Sequence, residues 1–215
     1  MFQSNKEYND FLIQSGVHTF LQETPNKLLE TQENQSKSPE KKDVKKFDEI
    51  TGIDDLIPII TNHESALKNK AKKLVLYNGN VNSNLMIIGE APGQEEDEQG
   101  IPFVGRAGQL LNKMLLAINV DRKDVYVTNV VPWRPPQNRT PTEQEILEFL
   151  PFLQKQIEII KPKFLYLLGT TAAKAILSTP LSLGKLRGKW YEYNTPNLGI
   201  PINVLVSYHP AFLLR

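Results

Sequence analysis

Leu85-Met86-Ile87-Ile88-Gly89-Glu90-Ala91-Pro92-Gly93-Gln94-Glu95-Glu96-Asp97 sets the frame for the whole chain. Four apolar residues in succession, with no polar alternation, read as a short strand covered on both faces. The run stops at Gly89 and passes into a loop rich in carboxylates, where glycine and proline allow a tight backbone close to a ligand. Downstream, the texture alternates. Gly105 to Ile118 has Leu110, Leu111, Met114, Leu115 and Ile118 at helical spacing, and Val125 to Val131 reads as a strand. Thr142 to Ile160 reads as a helix, with Thr142 as N-cap and Glu145 three residues on. Phe164 to Leu168 is a strand, Thr170 to Leu177 a short helix, and Ile202 to Val206 a last strand. Upstream, Asp54 to Lys70 reads as a helix with Leu56, Ile59, Ile60 and Leu67 on one side. Strands and helices alternating at this spacing imply an α/β domain: a four-stranded parallel sheet flanked by helices on both faces.

The first residues differ in character. Tyr8 to Leu21 carries enough apolar residues for a short amphipathic helix, and Glu23 to Lys46 is too polar to offset its ordering entropy by burial. Residues 1–46 are therefore read as a flexible N-terminal extension, and 47–215 as the folded domain.

The chain has 215 residues, a formal net charge of +1 and no cysteine. Disulfides, thiolate metal sites and cysteine nucleophiles are excluded. The near-zero charge gives no global field for nucleic acid, so any such binding must come from a local patch. No apolar run approaches the roughly 18 residues of a membrane span, and the N-terminus lacks the layout of a signal peptide. The expectation is a soluble, cytoplasmic monomer.

Ligands of open α/β sheets bind at the carboxyl ends of the strands. Those ends carry Glu90, Asn129, Gly169 and His209. Three of the four are polar groups fit to read or polarise a small heterocycle. Between them lie further candidates, each with an ordinary alternative. The Gly89–Asp97 segment is either a solvated acidic loop or part of a site; it lacks the Gly-Lys-Ser/Thr ending of a phosphate loop. Phe103, in the loop before Gly105, is either a core plug or a platform for stacking a base. Arg134 and Arg139 project from the proline-stiffened stretch Val131 to Pro141, as a rigid surface connection or as phosphate partners. Leu213 near the chain end either caps a core or presents a wedge to a base stack.

In order along the chain stand GEAPGQEED, GIPFVGRAGQLL, VYVTNVV followed by RPPQNRTPT, LGTTAAKAIL, LRGKW and HPAFLLR. Together they resemble the family 4, thermostable-type uracil-DNA glycosylases of the uracil-DNA glycosylase superfamily, from about Ile53 to Arg215. The resemblance implies a monofunctional glycosylase that removes uracil from DNA. It implies that Phe103 stacks on the flipped base, Asn129 hydrogen-bonds its pyrimidine edge, His209 hydrogen-bonds uracil O2, and Glu90 supports bond cleavage. Leu213 would fill the gap in the duplex, with Arg134, Arg139 and Arg215 on the DNA backbone. Ala91 stands where family 1 relatives place a water-activating aspartate. Gly93 stands where they place a thymine-excluding tyrosine, which leaves Glu96 or another side chain to fill the space beside C5. A further helix is expected in the family after HPAFLLR.

One departure is large. Family 4 proteins hold a [4Fe–4S] cluster on four cysteines. By register those places are Asn62, Ser65, Trp133 and a position near Leu150, and His63 alone cannot replace them. The expectation is no metal or organic cofactor, with Trp133 and Leu150 packing where the cluster would sit. Two other readings stay open: a catalytically inactive uracil- or DNA-binding relative, and an unrelated α/β enzyme using Glu90, Glu96 and Asp97 on a divalent metal. The expected partner is uracil-containing DNA; none is assigned to the extension.

Overall fold

The computed structural model describes residues 47–195 and 197–215. The extension, with its expected helix and linker, lies outside the described residues. Six strands form one sheet, in the order β1-β3-β2-β4-β6-β5. They are β1 (Tyr77–Gly79), β2 (Leu85–Gly89), β3 (Tyr126–Asn129), β4 (Phe164–Leu168), β5 (Trp190–Tyr193) and β6 (Ile202–Ser207). The four central strands β3, β2, β4 and β6 are parallel, and they are the four read from the sequence. The all-parallel four-stranded sheet is corrected at its margins: β1 runs antiparallel to β3, and β5 antiparallel to β6. Strands of three and four residues at an edge leave almost no periodic signal, and one exposed side removes the need for a continuous apolar run.

The helices are α1 (Ile53–Asn62), α2 (Gln94–Gln99), α3 (Arg106–Ala117), α4 (Glu143–Ile160), α5 (Thr170–Leu177), α6 (Leu183–Leu186) and α7 (Pro210–Leu213). The helix expected over Asp54 to Lys70 is shorter. It ends at Asn62, where His63 turns to extended backbone, and a separate 3-10 turn covers Lys68–Lys70. The acidic segment after Gly93 is not wholly loop either, since α2 occupies it. α4 begins as its sequence requires: Thr142 Oγ1 accepts from the Glu145 backbone N–H at 3.2 Å, and the Glu145 carboxylate accepts from the Thr142 N–H at 2.8 Å.

Two apolar clusters hold these layers. The larger includes Leu56, Ile60, Met86, Ile88, Phe149, Leu153, Leu165 and Val204. The smaller gathers Ile87, Leu111, Leu115, Val125, Val127 and Leu168 with Phe103. Alternate residues of β2 thus feed opposite clusters, as strand geometry dictates. Register then fixes the site. Gly89 lies opposite Asn129, and Leu168 opposite Ser207, so the β2, β3, β4 and β6 ends reach one edge together.

Trp133 is 5% exposed and belongs to the larger cluster, and Leu150 packs against that cluster part-buried. His63 joins the same region, in edge contact with the Phe149 and Phe152 rings and hydrogen-bonded to Glu148 at 3.0 Å. Trp133→Ala should therefore cost about 3–5 kcal/mol of stability, as buried aromatic truncations do. Chemical denaturation measures it, and a loss below about 1 kcal/mol would remove Trp133 from the role of core plug.

Candidate active site at the carboxyl edge of the sheet

The edge is built around a residue with no side chain. A Cβ on Gly89 would lie 2.5 Å from Phe103 Cζ and 2.5 Å from Asn129 Oδ1. The phenyl ring and the amide thus meet over bare backbone. Phe103 is 6% exposed and has φ of 56°, the left-handed region that non-glycine residues seldom occupy. Its ring stacks on that of His209, with centroids 5.5 Å apart and planes at 28°. The ring is thus packed in the smaller core cluster and in contact with His209 at the carboxyl edge.

Asn129 ends β3 and is 3% exposed. Its Oδ1 is buried and has no hydrogen-bond partner among the described residues. Buried polar atoms are paired in the great majority of cases, and an unpaired one costs roughly 1–3 kcal/mol. An acceptor held this way suits a ligand that brings a donor.

His209 caps α7, and its Nδ1 accepts the Ala211 backbone N–H at 3.2 Å. With Nδ1 occupied as an acceptor, the neutral ring carries its proton on Nε2. Burial pushes the imidazole below its ordinary 6.5; the carboxylates of Glu90 and Glu96 pull the other way and do not prevail. The ring is thereby a neutral N–H donor. Glu90 follows β2, and its Oε2 accepts the Thr171 hydroxyl at 2.5 Å. Thr171, buried in the first turn of α5, is a site neighbour that the sequence reading missed. A threonine in a short helix carries no signal until the sheet order sets that helix beside β2.

Glu96, expected beside Gly93, bridges two loops. Its Oε1 accepts from the Val104 and Gly105 N–H groups at 3.0 and 2.9 Å, and its Oε2 from Gly93 N–H at 3.1 Å. The carboxylate ties the two loops together. A Cβ on Gly93 would meet that same Oε2 at 2.8 Å. Ala91 is part-buried against the larger core. Asp97, also read as a possible metal ligand, is 2% exposed and accepts from the Lys72 and Lys73 N–H groups. Among the described residues no group of three or more His, Cys, Asp or Glu is set to hold a metal ion.

Arg134 and Arg139 both have partners within the chain. Arg134 lies 3.7 Å from the Asp97 carboxylate and donates to Asn138 at 2.7 Å. Arg139 forms a two-pronged pair with Glu145 at 2.6 and 2.7 Å and holds that carboxyl down to about 2. At the chain end Phe212, Leu213 and Leu214 are all exposed, an apolar tip beside the exposed Arg215. Tyr208 stacks on Phe212 at 4.8 Å, and the Arg187 guanidinium lies 4.6 Å over the Tyr208 ring. Tyr208 and Arg187 extend the exposed surface formed by Leu213, its apolar neighbours and Arg215.

A model of the uracil DNA glycosylase superfamily matches residues 76–215, which contain Gly89, Glu90, Glu96, Phe103, Asn129 and His209. The chain belongs to the uracil DNA glycosylase superfamily. Its relatives include the type-4 uracil-DNA glycosylase of Pyrobaculum aerophilum, 44% identical over 148 residues, covering 67% of this chain and 74% of that protein. The type-4 enzyme of Saccharolobus solfataricus is 44% identical over 66% of this chain and 68% of its own. That of Archaeoglobus fulgidus is 38% identical over 77% and 84%.

For this superfamily member the four positions of the family 4 cluster do not fit an iron–sulfur group. Asn62 is exposed, and the buried Ser65 hydroxyl accepts from the Leu67 N–H at 3.2 Å. Trp133 and Leu150 offer only indole and hydrocarbon, and the chain has no cysteine. None of the four is a thiolate, the donor such clusters take.

The His209 assignment yields a pH prediction. The ring should titrate below 6.5 in an NMR pH series, identified among three histidines by loss of its signal in His209→Asn. The same shift makes the fold lose stability as pH falls through 6.5, because the unfolded chain takes up that proton first. A midpoint at or above 6.5 would overturn the neutral-donor assignment.

Proposed function

We propose that this protein is a monofunctional uracil-DNA glycosylase that hydrolyses the C1′–N1 bond of deoxyuridine in DNA and leaves an abasic site. The single observation that carries the reading is the buried, unpartnered Oδ1 of Asn129 beside the Phe103 ring. Uracil presents a donor at N3 where cytosine presents an acceptor, so a fixed amide oxygen selects the first and is left unpaired by the second. A site that hydrogen-bonds one edge rejects its mismatch by leaving buried groups unsatisfied. The type-4 relatives, named for this activity, support the same reading.

The base must leave the stack to reach such a site, at a cost of a few kcal/mol. Leu213, with Phe212 and Leu214, is a wedge for the opened duplex, and Arg215 is a partner for the DNA backbone. Arg134 and Arg139 contribute there less freely, since each is already paired within the chain. Phe103 carries the face of the base. As the C1′–N1 bond breaks, its electron pair passes to uracil, and negative charge collects on O2. His209 donates its Nε2 proton in a hydrogen bond to that oxygen. Positive charge develops at C1′, where Glu90, held by Thr171, favours it electrostatically and orients the attacking water. The water oxygen bonds to C1′, and its released proton balances the departing uracil anion. Glu96 shapes the pocket by fixing the Gly93 and Val104–Gly105 loops, and the wall beside C5 is backbone at Gly93 and Ala91. No cofactor enters any step, and we assign none. The fold and activity together suit a soluble monomer acting on uracil-containing DNA in the cytoplasm.

A duplex with a single uracil, treated with protein and then with alkali, should be cleaved at that position. Binding without cleavage would instead make the protein an inactive uracil- or DNA-binding relative. His209→Ala should lower the single-turnover rate by about 100-fold or more, the usual effect of losing one donor to a developing oxyanion. Near-normal turnover would remove His209 from the mechanism. Purified active protein should lack stoichiometric iron; iron at four per chain would reject the cluster-free reading.

A further inference from the structure

We propose that Arg122 is the positioning residue for the base-stacking platform, fixing Phe103 in its left-handed backbone conformation by gripping the loop carbonyls beneath it. The inference rests on the reading of Phe103 as the ring that stacks on uracil. Arg122 stands in the 3-10 turn Arg122–Asp124, which follows α3, and no motif of the sequence drew notice to it. Its guanidinium donates to the Pro102 carbonyl at 2.7 Å and to the Phe103 carbonyl at 3.4 Å. The same group donates to Asn112 Oδ1 on α3 at 3.2 Å and to Asn78 Oδ1 on β1 at 3.3 Å. One planar fork thus joins the platform loop to a helix and an edge strand. All four acceptors are neutral oxygens, so the cation's burial is answered by directed hydrogen bonds and not by a counter-charge.

The grip falls where the backbone needs it. An aromatic residue at φ 56° is held against its own preference, which costs on the order of 1–3 kcal/mol and requires surroundings that over-determine it. On α3, a Cβ at Gly108 would lie 1.8 Å from the Phe103 carbonyl oxygen, so that carbonyl is seated directly on helix backbone. Arg122 supplies one donor to the same oxygen and another to the Pro102 carbonyl beside it. Release of the fork would let the loop relax toward an ordinary φ and swing the ring off Gly89. Lysine cannot substitute, because a single ammonium lacks the geometry to reach two carbonyls and two amides at once.

The test is a double-mutant cycle of Arg122→Lys with Phe103→Ala, read as single-turnover excision from a uracil duplex. Affinity for a duplex carrying a tetrahydrofuran abasic analogue is measured in parallel. Arg122→Lys alone should slow excision by about 10- to 100-fold, as a platform misplaced by an ångström does. Abasic-duplex affinity should stay within about twofold, since that DNA has no base to stack. In the Phe103→Ala background the same substitution should cost almost nothing, because coupled residues are non-additive. An equal loss in both backgrounds, or a parallel loss of abasic-duplex affinity, overturns the proposal. Where Arg122→Lys fails to fold, Asn112→Leu removes one acceptor and keeps the arginine; it should slow excision in the wild-type background and not in Phe103→Ala, and any other pattern counts against the proposal. If Phe103→Ala itself leaves excision unchanged, the platform reading fails first and takes this inference with it.

Discussion

Two side chains from different strands and loops can share the space over Gly89 only because that residue has no Cβ. This close approach is the constraint around which the edge is organised. It lowers the Phe103 ring onto the sheet, lets the Asn129 amide lie beside it, and leaves the His209 ring stacked on Phe103. The consequences travel outward. Phe103 must adopt a left-handed φ to reach the position, Gly108 must be bare to receive its carbonyl, and Glu96 must hold the loop just after it. Each requirement is met by a group that contributes no reactive atom of its own. Backbone strain at Phe103 and bare backbone at Gly89 and Gly108 thus bring three candidate side chains together, a pattern common where strain serves a site.

The region assigned to the family 4 cluster follows a different logic. A cluster fastens distant segments through a few strong, directed bonds. Here the same segments are joined by many weak contacts: Trp133 and Leu150 in or against the larger core, His63 between two phenylalanines, and a single His63–Glu148 hydrogen bond. The Val131–Pro141 stretch is further fixed by Arg134 to Asp97 and by Arg139 to Glu145. Apolar burial is non-directional and tolerates gradual substitution, whereas a metal site fails when one ligand is lost. The carboxyl edge therefore keeps its frame with no thiolate in the chain.

What the sequence made legible follows from how each feature is encoded. The central strands β2, β3, β4 and β6 could be read because strands buried on both faces are written as apolar runs. α4 could be read because its cap and its apolar spacing agree. The edge strands could not: Tyr77–Gly79 and Trp190–Tyr193 are short and need their neighbours to be strands at all. Glu90, Asn129 and His209 could be read as neighbours because each ends a central strand or lies within two residues of its end, so the strand order gathers them at one edge. Thr171 and Arg122 escaped because each acts through a partner remote in sequence, and their importance lies in a distance that only the folded chain defines. The loop bonds of Glu96 escaped as well, since only the folded chain brings Val104 and Gly105 to a carboxylate that also caps its own helix.

The charge state of His209 ties these observations to chemistry. Two carboxylates, Glu90 and Glu96, favour its protonation, and burial opposes it and wins. Had the balance gone the other way, an imidazolium facing Glu90 would have cancelled the negative charge that the proposed reaction needs at the sugar. The backbone N–H of Ala211 adds a second safeguard, because it occupies Nδ1 and would be left facing a donor if the ring took up a proton. Glu96 takes part at a distance: it favours His209 protonation while its own oxygens are held by three backbone N–H groups. The Glu90 carboxylate and the neutral His209 ring are therefore not independent. The first is held by the Thr171 hydroxyl, the second by its burial and by the Ala211 N–H at Nδ1.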